Sequence, residues 1–259
     1  MFAKALLPVD LHQDADEIKT RGKFIQQLGT VYCQILHVAG FGSLLRAKQC
    51  LLNYANQLHE IGLQAEWALQ EGIPAKTITN FAQTKQCDYI YIPSRRTNAL
   101  YRTLLGSTAR EVVRVTEVPV FIHKQHPPYW QPASLRTVLL ATDFGPAVQR
   151  ALPYAQALGA PDRHLTILHV GQRSADPHAE KRRQEQIQKG LDILTGLAKP
   201  HFASLITRTG VGSPARRILA EKADVIVLGR LNKRPLGDFL GSTAEEVTQE
   251  SRCSILLVP

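Results

Sequence analysis

The chain carries the same landmarks twice, in the same order. Asp10 is matched by Asp143, and His37-Val38 by His169-Val170. Gly72-x-Pro74-Ala75 returns as Gly212-x-Pro214-Ala215, and Gly106-Ser-Thr-Ala109 as Gly241-Ser-Thr-Ala244. Several matches at a nearly constant separation of roughly 135 residues are far more specific than any single motif. The 259 residues therefore divide into two similar halves, each long enough for one core of its own. Whatever fold one half takes, the other must take too.

Within a half, strand and helix patterns alternate. In the first, strands are expected at Ala3–Val9, Thr30–Val38, Gln64–Leu69, Asp88–Ile92 and Val118–His123. Helices are expected at Asp14–Leu28, Leu44–Ile61, Pro74–Gln86 and Ser107–Thr116. The second half repeats this order, from the strand Thr137–Thr142 to the strand Ser254–Val258. Runs such as Asp224-Val-Ile-Val-Leu228 are continuously apolar, as in strands buried on both faces of a parallel sheet. Alternation of this kind predicts an α/β fold: two repeated doubly wound domains, each a parallel sheet with helices on both faces. Residues 125–134 contain Pro127, Pro128 and Pro132, which suit neither a helix nor a central strand. They are read as a linker between domains at 1–124 and 135–259.

In such sheets ligands collect at the carboxyl ends of the strands, where strand order reverses. The polar punctuation falls there. The first strand of each half ends at Asp10 or Asp143, and the fourth runs into Pro93–Thr108 or Gly229–Thr243. The second of these loops is Gly-rich and basic, with Arg230, Lys233 and Arg234, and meets a helix at Gly241-Ser242-Thr243. Backbone N–H groups at a helix start are unpaired and carry partial positive charge, which suits phosphate. Each aspartate could instead cap the helix that follows it. Ser242 with Glu245, and Thr108 with Glu111, fit the S/T-x-x-E box, so these hydroxyls are expected to cap their helices. The repeated His37 and His169 sit beside apolar residues and are read as packing groups. Lys181-Arg-Arg183 is read as a solvated helix face.

A formal charge of +9 favours an anionic partner. Aromatic residues make up only 7% and do not interleave with basic ones, so nucleic acid is disfavoured against a nucleotide. No apolar run reaches the ~18 residues that cross a bilayer, and the start of the chain lacks a leader pattern. A cytoplasmic protein is expected. Cys33, Cys50, Cys87 and Cys253 form no C-x-x-C pair and are expected as thiols. No nucleophile–base or two-carboxylate arrangement recurs in both halves, which points to a binding module rather than an enzyme, slow turnover of a bound ligand aside.

These motifs together resemble the universal stress protein family, and the chain looks like a tandem protein with two such domains. The resemblance implies a five-stranded sheet of order 3-2-1-4-5 in each half and a role in the stress response. It also implies an adenine nucleotide, ATP with or without Mg²⁺, held by Asp at the end of the first strand and by a Gly-x-x-Gly, nine residues, Gly-Ser/Thr loop. In the second half that places the nucleotide on Thr142, Asp143, Val170, Gly229, Arg230, Asn232, Gly241, Ser242 and Thr243. Asn232 stands where the family has its second glycine, and the loop to Gly241 is one residue short. A weaker second site would use Val9, Asp10, Val38, Arg96, Gly106, Ser107 and Thr108. There Pro93 and Arg96 replace both leading glycines, at intact spacing. The resemblance further implies pairing through the last strands, Val118–His123 with Ser254–Val258, as an intramolecular pseudo-dimer, compatible with a homodimer. The alternative function is an adaptor that binds a regulatory protein client and no nucleotide.

Overall fold

A computed structural model describes residues 1–39, 44–96, 103–124, 135–230 and 240–259. The Pro-rich segment 125–134 lies outside the described residues. The chain forms two compact units, Met1–Ser134 and Leu135–Pro259.

The first unit runs β1 (Lys4–Pro8), α1 (Ala15–Gln27), β2 (Tyr32–Ala39), α2 (Leu44–His59), β3 (Gln64–Glu71), α3 (Pro74–Thr84) and β4 (Tyr89–Pro93). Two short strands follow, β5 (Arg95–Arg96) and β6 (Thr103–Leu104), then α4 (Ser107–Val115) and β7 (Val120–His123). Parallel pairing gives the order β3-β2-β1-β4-β7. The second unit runs β8 (Thr137–Thr142), α5 (Pro146–Ala157), β9 (His164–Gly171), α6 (Pro177–Ala198), a 3₁₀ turn (Lys199–His201), β10 (Ser204–Val211), α7 (Pro214–Ala220), β11 (Val225–Gly229), α8 (Ser242–Glu250) and β12 (Ser254–Val258). Its parallel order is β10-β9-β8-β11-β12. Both are the expected 3-2-1-4-5. Among the described residues, no helix is long and apolar enough to cross a membrane.

Three expectations change in detail. The helix expected from Asp14 starts at Ala15, because Asp14 is its N-cap and accepts the Asp16 N–H at 3.3 Å. The third strand extends to Glu71, since pairing with β2 continues through Ala39↔Glu71. The stretch read as an open loop from Pro93 contains an antiparallel ribbon, Arg95↔Leu104 and Arg96↔Thr103.

One carboxylate per unit sets the first strand beside the fourth. Asp88 Oδ2 accepts the Lys4 N–H at 3.0 Å. Asp224 Oδ2 accepts from Arg136 N, Thr137 N and the Thr137 hydroxyl at 2.8–2.9 Å. The strands then run in register from Ala5↔Tyr89 and from Val138↔Val225. Their carboxyl ends emerge side by side, which is the switch point of this topology.

The two cores differ in chemistry. In the first unit, Tyr91, Phe121 and His123 pack under Phe24 of α1, with the Phe24 and His123 rings stacked at 4.0 Å. The Tyr91 hydroxyl is hydrogen-bonded to His123 Nδ1. The matching strands of the second unit are aliphatic, Val225–Leu228 and Ile255–Leu257, all nearly inaccessible.

Burial also gives the first unit a pH response. It pushes the Cys87 thiol up to about 11 and raises the Cys33 thiol further. It lowers the Lys124 ammonium to about 8. Between the ordinary thiol range near 8.5 and about 11, the folded state holds thiol protons that the unfolded chain has lost, so stability falls as pH rises. Lys124 acts in the opposite sense, because there the unfolded chain holds the extra proton. Two thiols against one ammonium predict a net loss. The denaturant midpoint of the first unit, followed under reducing conditions, is expected to drop from pH 8 to pH 10. The double substitution Cys33→Ala, Cys87→Ala should flatten or reverse that trend.

Candidate functional site

At the carboxyl ends of β8 and β11, the second unit has a cavity of about 230 Å³. Its walls come from six elements. Ala141, Thr142 and Asp143 end β8, and Leu228 and Gly229 end β11. Ala147 and Val148 belong to α5, while Leu240 to Ala244 lead into and begin α8. Val170 of β9 and Pro214 and Ile218 of α7 complete it. The lining is largely apolar, with Asp143 and the α8 start as its polar poles, the usual make-up of a small-molecule site.

Each pole has a local cause. Asp143 Oδ1 accepts the Gly145 N–H at 2.8 Å, closing an Asx turn just after β8. Gly145, and not Asp143, is the N-cap of α5. In the first unit Asp10 Oδ1 accepts the His12 N–H at 3.1 Å, while Asp14 caps α1. Helix capping is thereby excluded for both strand-end aspartates. Gly241 is the N-cap of α8 at φ +90° and ψ 137°, a conformation that residues with a Cβ rarely adopt. It provides no side-chain cap.

That last point overturns the capping-box expectation. α8 begins at Ser242 and α4 at Ser107, with glycine as N-cap and no side-chain cap bond in either. Ser242 and Thr108 therefore lie inside the first turns, where a hydroxyl cannot reach forward to cap. The motif spacing suits a cap, but each helix starts at least one residue earlier than the box requires.

Gly229 lines the cavity and is also constrained to glycine by packing. A Cβ there would stand 2.2 Å from the Ala147 carbonyl oxygen. Its role is close packing of α5 on β11. Arg150 of α5 then holds the exit of β11, donating to the Arg230 and Pro146 carbonyls and, through Nε, to the Pro259 oxygen at 2.6 Å. The Arg230 N–H donates to Val258 O at 2.6 Å.

Of the residues expected to hold a nucleotide, Thr142, Asp143, Val170, Gly229, Gly241, Ser242 and Thr243 line the cavity. Arg230 does not line it, and its side chain is buried. Asn232, Lys233 and Arg234 lie outside the described residues. Sequence reasoning missed the α5 and α7 walls. The recurring Gly-x-Pro-Ala turn was the available signal for Pro214, whereas Ala147, Val148 and Ile218 are ordinary apolar helix positions.

The two histidines tie strands together. His169 Nδ1 donates to Thr142 O at 3.0 Å, and His37 Nδ1 to Val9 O at 2.9 Å. Val38 follows His37 in β2, beside the end of β1. Arg183 is engaged by Glu180 through two hydrogen bonds of 2.7–2.8 Å. Those bonds, with the Ser174 N–H, hold the Glu180 carboxyl at about 2. In the first unit the Arg96 backbone pairs with Thr103 in the β5–β6 ribbon. Gly106 there has an ordinary φ of −62°, and a Cβ at that position would meet no atom within 4 Å. The strand-end aspartate and the Gly-Ser-Thr helix start are shared by the units; residues 231–239, between the fourth strand and the helix of the second unit, lie outside the described residues. Among the described residues, no cluster of His, Cys, Asp and Glu could hold a metal ion.

The model of the universal stress protein family matches the chain twice, over residues 37–124 and 134–259. The chain belongs to the universal stress protein family. A Thermus aquaticus relative, described as a universal stress protein in the QAH/OAS sulfhydrylase 3′ region, is 34% identical over 139 residues. That alignment covers 48% of this chain and 98% of the relative, which is thus about one unit long. A universal stress protein structure from Archaeoglobus fulgidus matches all of this chain and 98% of its own, with a TM-score of 0.71 at 23% identity. A putative universal stress protein from Pseudomonas aeruginosa matches 99% of this chain and 92% of its own, with a TM-score of 0.73 at 17% identity. At those identities the structural likeness speaks for the fold.

Proposed function

We propose that this universal stress protein is a stress-response binding module, not an enzyme, and that its second unit binds an adenine nucleotide, ATP with or without Mg²⁺. The observation that carries the reading is the start of α8. A glycine N-cap in left-handed backbone, with no side-chain cap, opens the first turn of a helix onto a cavity. An anion is the natural partner of such a helix start. At the other pole, Asp143 is an acceptor for the exocyclic amino group of a purine. The apolar walls from Val148, Val170 and Ile218 suit a planar base. The cavity's size fits a base and sugar, leaving the phosphates at the helix start. The Ser242 and Thr243 hydroxyls, not used as caps, are available to phosphate oxygens or to their Mg²⁺.

The first unit supports this function less. Pro93 has no N–H, and the backbone of Arg95 and Arg96 pairs with β6. One nucleotide per chain is therefore expected. Calorimetric titration of the full chain with Mg-ATP should give saturable heat at one equivalent. Absence of heat at millimolar ATP, with the protein folded, would overturn the proposal in favour of an adaptor that works through a protein client.

A further inference from the structure

The turn that carries Asp143 is held in an unusual way. Phe144 has φ +62°, in the left-handed region that a bulky side chain avoids. Its ring stacks on the His169 imidazole, with centroids 4.6 Å apart and planes 25° from parallel. On its other side it meets α6 at Gly190, where a Cβ would come within 2.7 Å of two ring carbons. The Phe144 N–H donates to the Thr142 hydroxyl at 2.8 Å. His169, in turn, is tied to the Thr142 carbonyl. Ring, imidazole and backbone thus lock three successive residues, Thr142, Asp143 and Phe144, onto β9 and α6.

The first unit supplies a control. Its equivalent turn is Asp10-Leu11-His12, with leucine in place of the phenylalanine and no left-handed backbone at Leu11. His37 makes the same strand tie as His169. The fold alone therefore does not require the clamp. The Asx bond forms in both turns, His12 N–H to Asp10 Oδ1 at 3.1 Å and Gly145 N–H to Asp143 Oδ1 at 2.8 Å; what the clamp adds is a fixed backbone beneath Asp143, which lines the cavity.

We propose that Phe144, gripped between His169 and Gly190, is a positioning residue that fixes the Asp143 carboxylate on the cavity wall. Strained backbone of this kind persists only where its surroundings over-determine it, and it concentrates at ligand sites. The consequence for nucleotide affinity rests on the reading of this cavity as an ATP site; the orientation of Asp143 does not.

The test therefore has two readouts. The first needs no ligand: hydrogen exchange of the Gly145 amide, whose acceptor is Asp143. Phe144→Ala removes the ring and Gly190→Ala pushes on it from α6; each should lower Gly145 protection at least tenfold. Phe144→Tyr should preserve it. The second is Mg-ATP affinity in a double-mutant cycle. Phe144→Ala should weaken binding about tenfold, the scale of one charge-assisted hydrogen bond. In the Asp143→Ala background it should have no further effect. A merely structural role of the ring would give losses that multiply. Unchanged Gly145 protection in Phe144→Ala, or multiplying losses, would overturn the positioning role. Lowered protection in a protein that never binds ATP would uphold it and remove the nucleotide reading instead.

Discussion

Gly229→Ala destabilises the second unit by about 3 kcal/mol or more, the upper range for an overpacked core site. The added Cβ would lie 2.2 Å from the Ala147 oxygen, 2.5 Å from its carbonyl carbon and 2.8 Å from its Cβ. Two of these three atoms are backbone, so no rotamer change relieves the clash. α5 must move away from β11, which loosens both the cavity and the Arg150 bonds at the exit of that strand. Gly106→Ala in the first unit is a control at an unconstrained glycine. That glycine has an ordinary φ and open space around it, so the change should stay within about 0.5 kcal/mol. Hydrogen exchange of peptides from each unit, followed through a denaturant series on the full chain, separates the two. A Gly229→Ala protein as stable as wild type would mean that the α5–β11 contact is less close than the geometry indicates.

Gly241→Val is the second large effect, and it falls on binding. At φ +90° and ψ 137° a β-branched residue is strongly disfavoured, so the N-cap must rotate out of this conformation. Rotation turns the first N–H groups of α8 away from the cavity mouth. Mg-ATP affinity is expected to fall at least about 100-fold, since several hydrogen bonds to one anion are lost together. Stability should fall by only about 1–3 kcal/mol, the strain scale of a single backbone outlier. Gly241→Ala should be intermediate in both. Titration calorimetry and chemical denaturation on the same samples keep the two effects apart. Unchanged affinity in a folded Gly241→Val protein would show that the phosphates do not sit at this helix start.

Much of the architecture is legible in the chain itself. The repeated landmarks and the alternation of apolar strands with amphipathic helices indicate two α/β units, and Asp143 with Gly241-Ser-Thr243 marks one end of a sheet. Such signals are legible because backbone rules act locally. A glycine before a helix, an aspartate after a strand and a proline in a turn each restrict the few residues around them. Sequence and structure part where spacing is ambiguous or where two distant segments meet. Ser242 and Glu245 have the spacing of a capping box, but spacing does not say which residue takes the cap position, and Gly241 takes it. Gly229 reads as an opening for phosphate, yet the atoms that exclude a side chain belong to Ala147, far away in sequence. The Arg95–Arg96 strand has no apolar alternation, because its partner is a single two-residue strand and not a sheet.

The amino-acid sequence by itself determined that there are two similar units and where each sheet would present its polar strand ends. Periodicity, turn chemistry and repetition are properties of the chain alone. Only the tertiary structure decided how the second unit's strand ends became a cavity. It placed α5 and α7 over those ends, set Phe144 between His169 and Gly190, and gave the first unit a β-ribbon after its fourth strand. These outcomes depend on contacts between residues far apart in the chain, where close packing, and not local preference, selects the conformation.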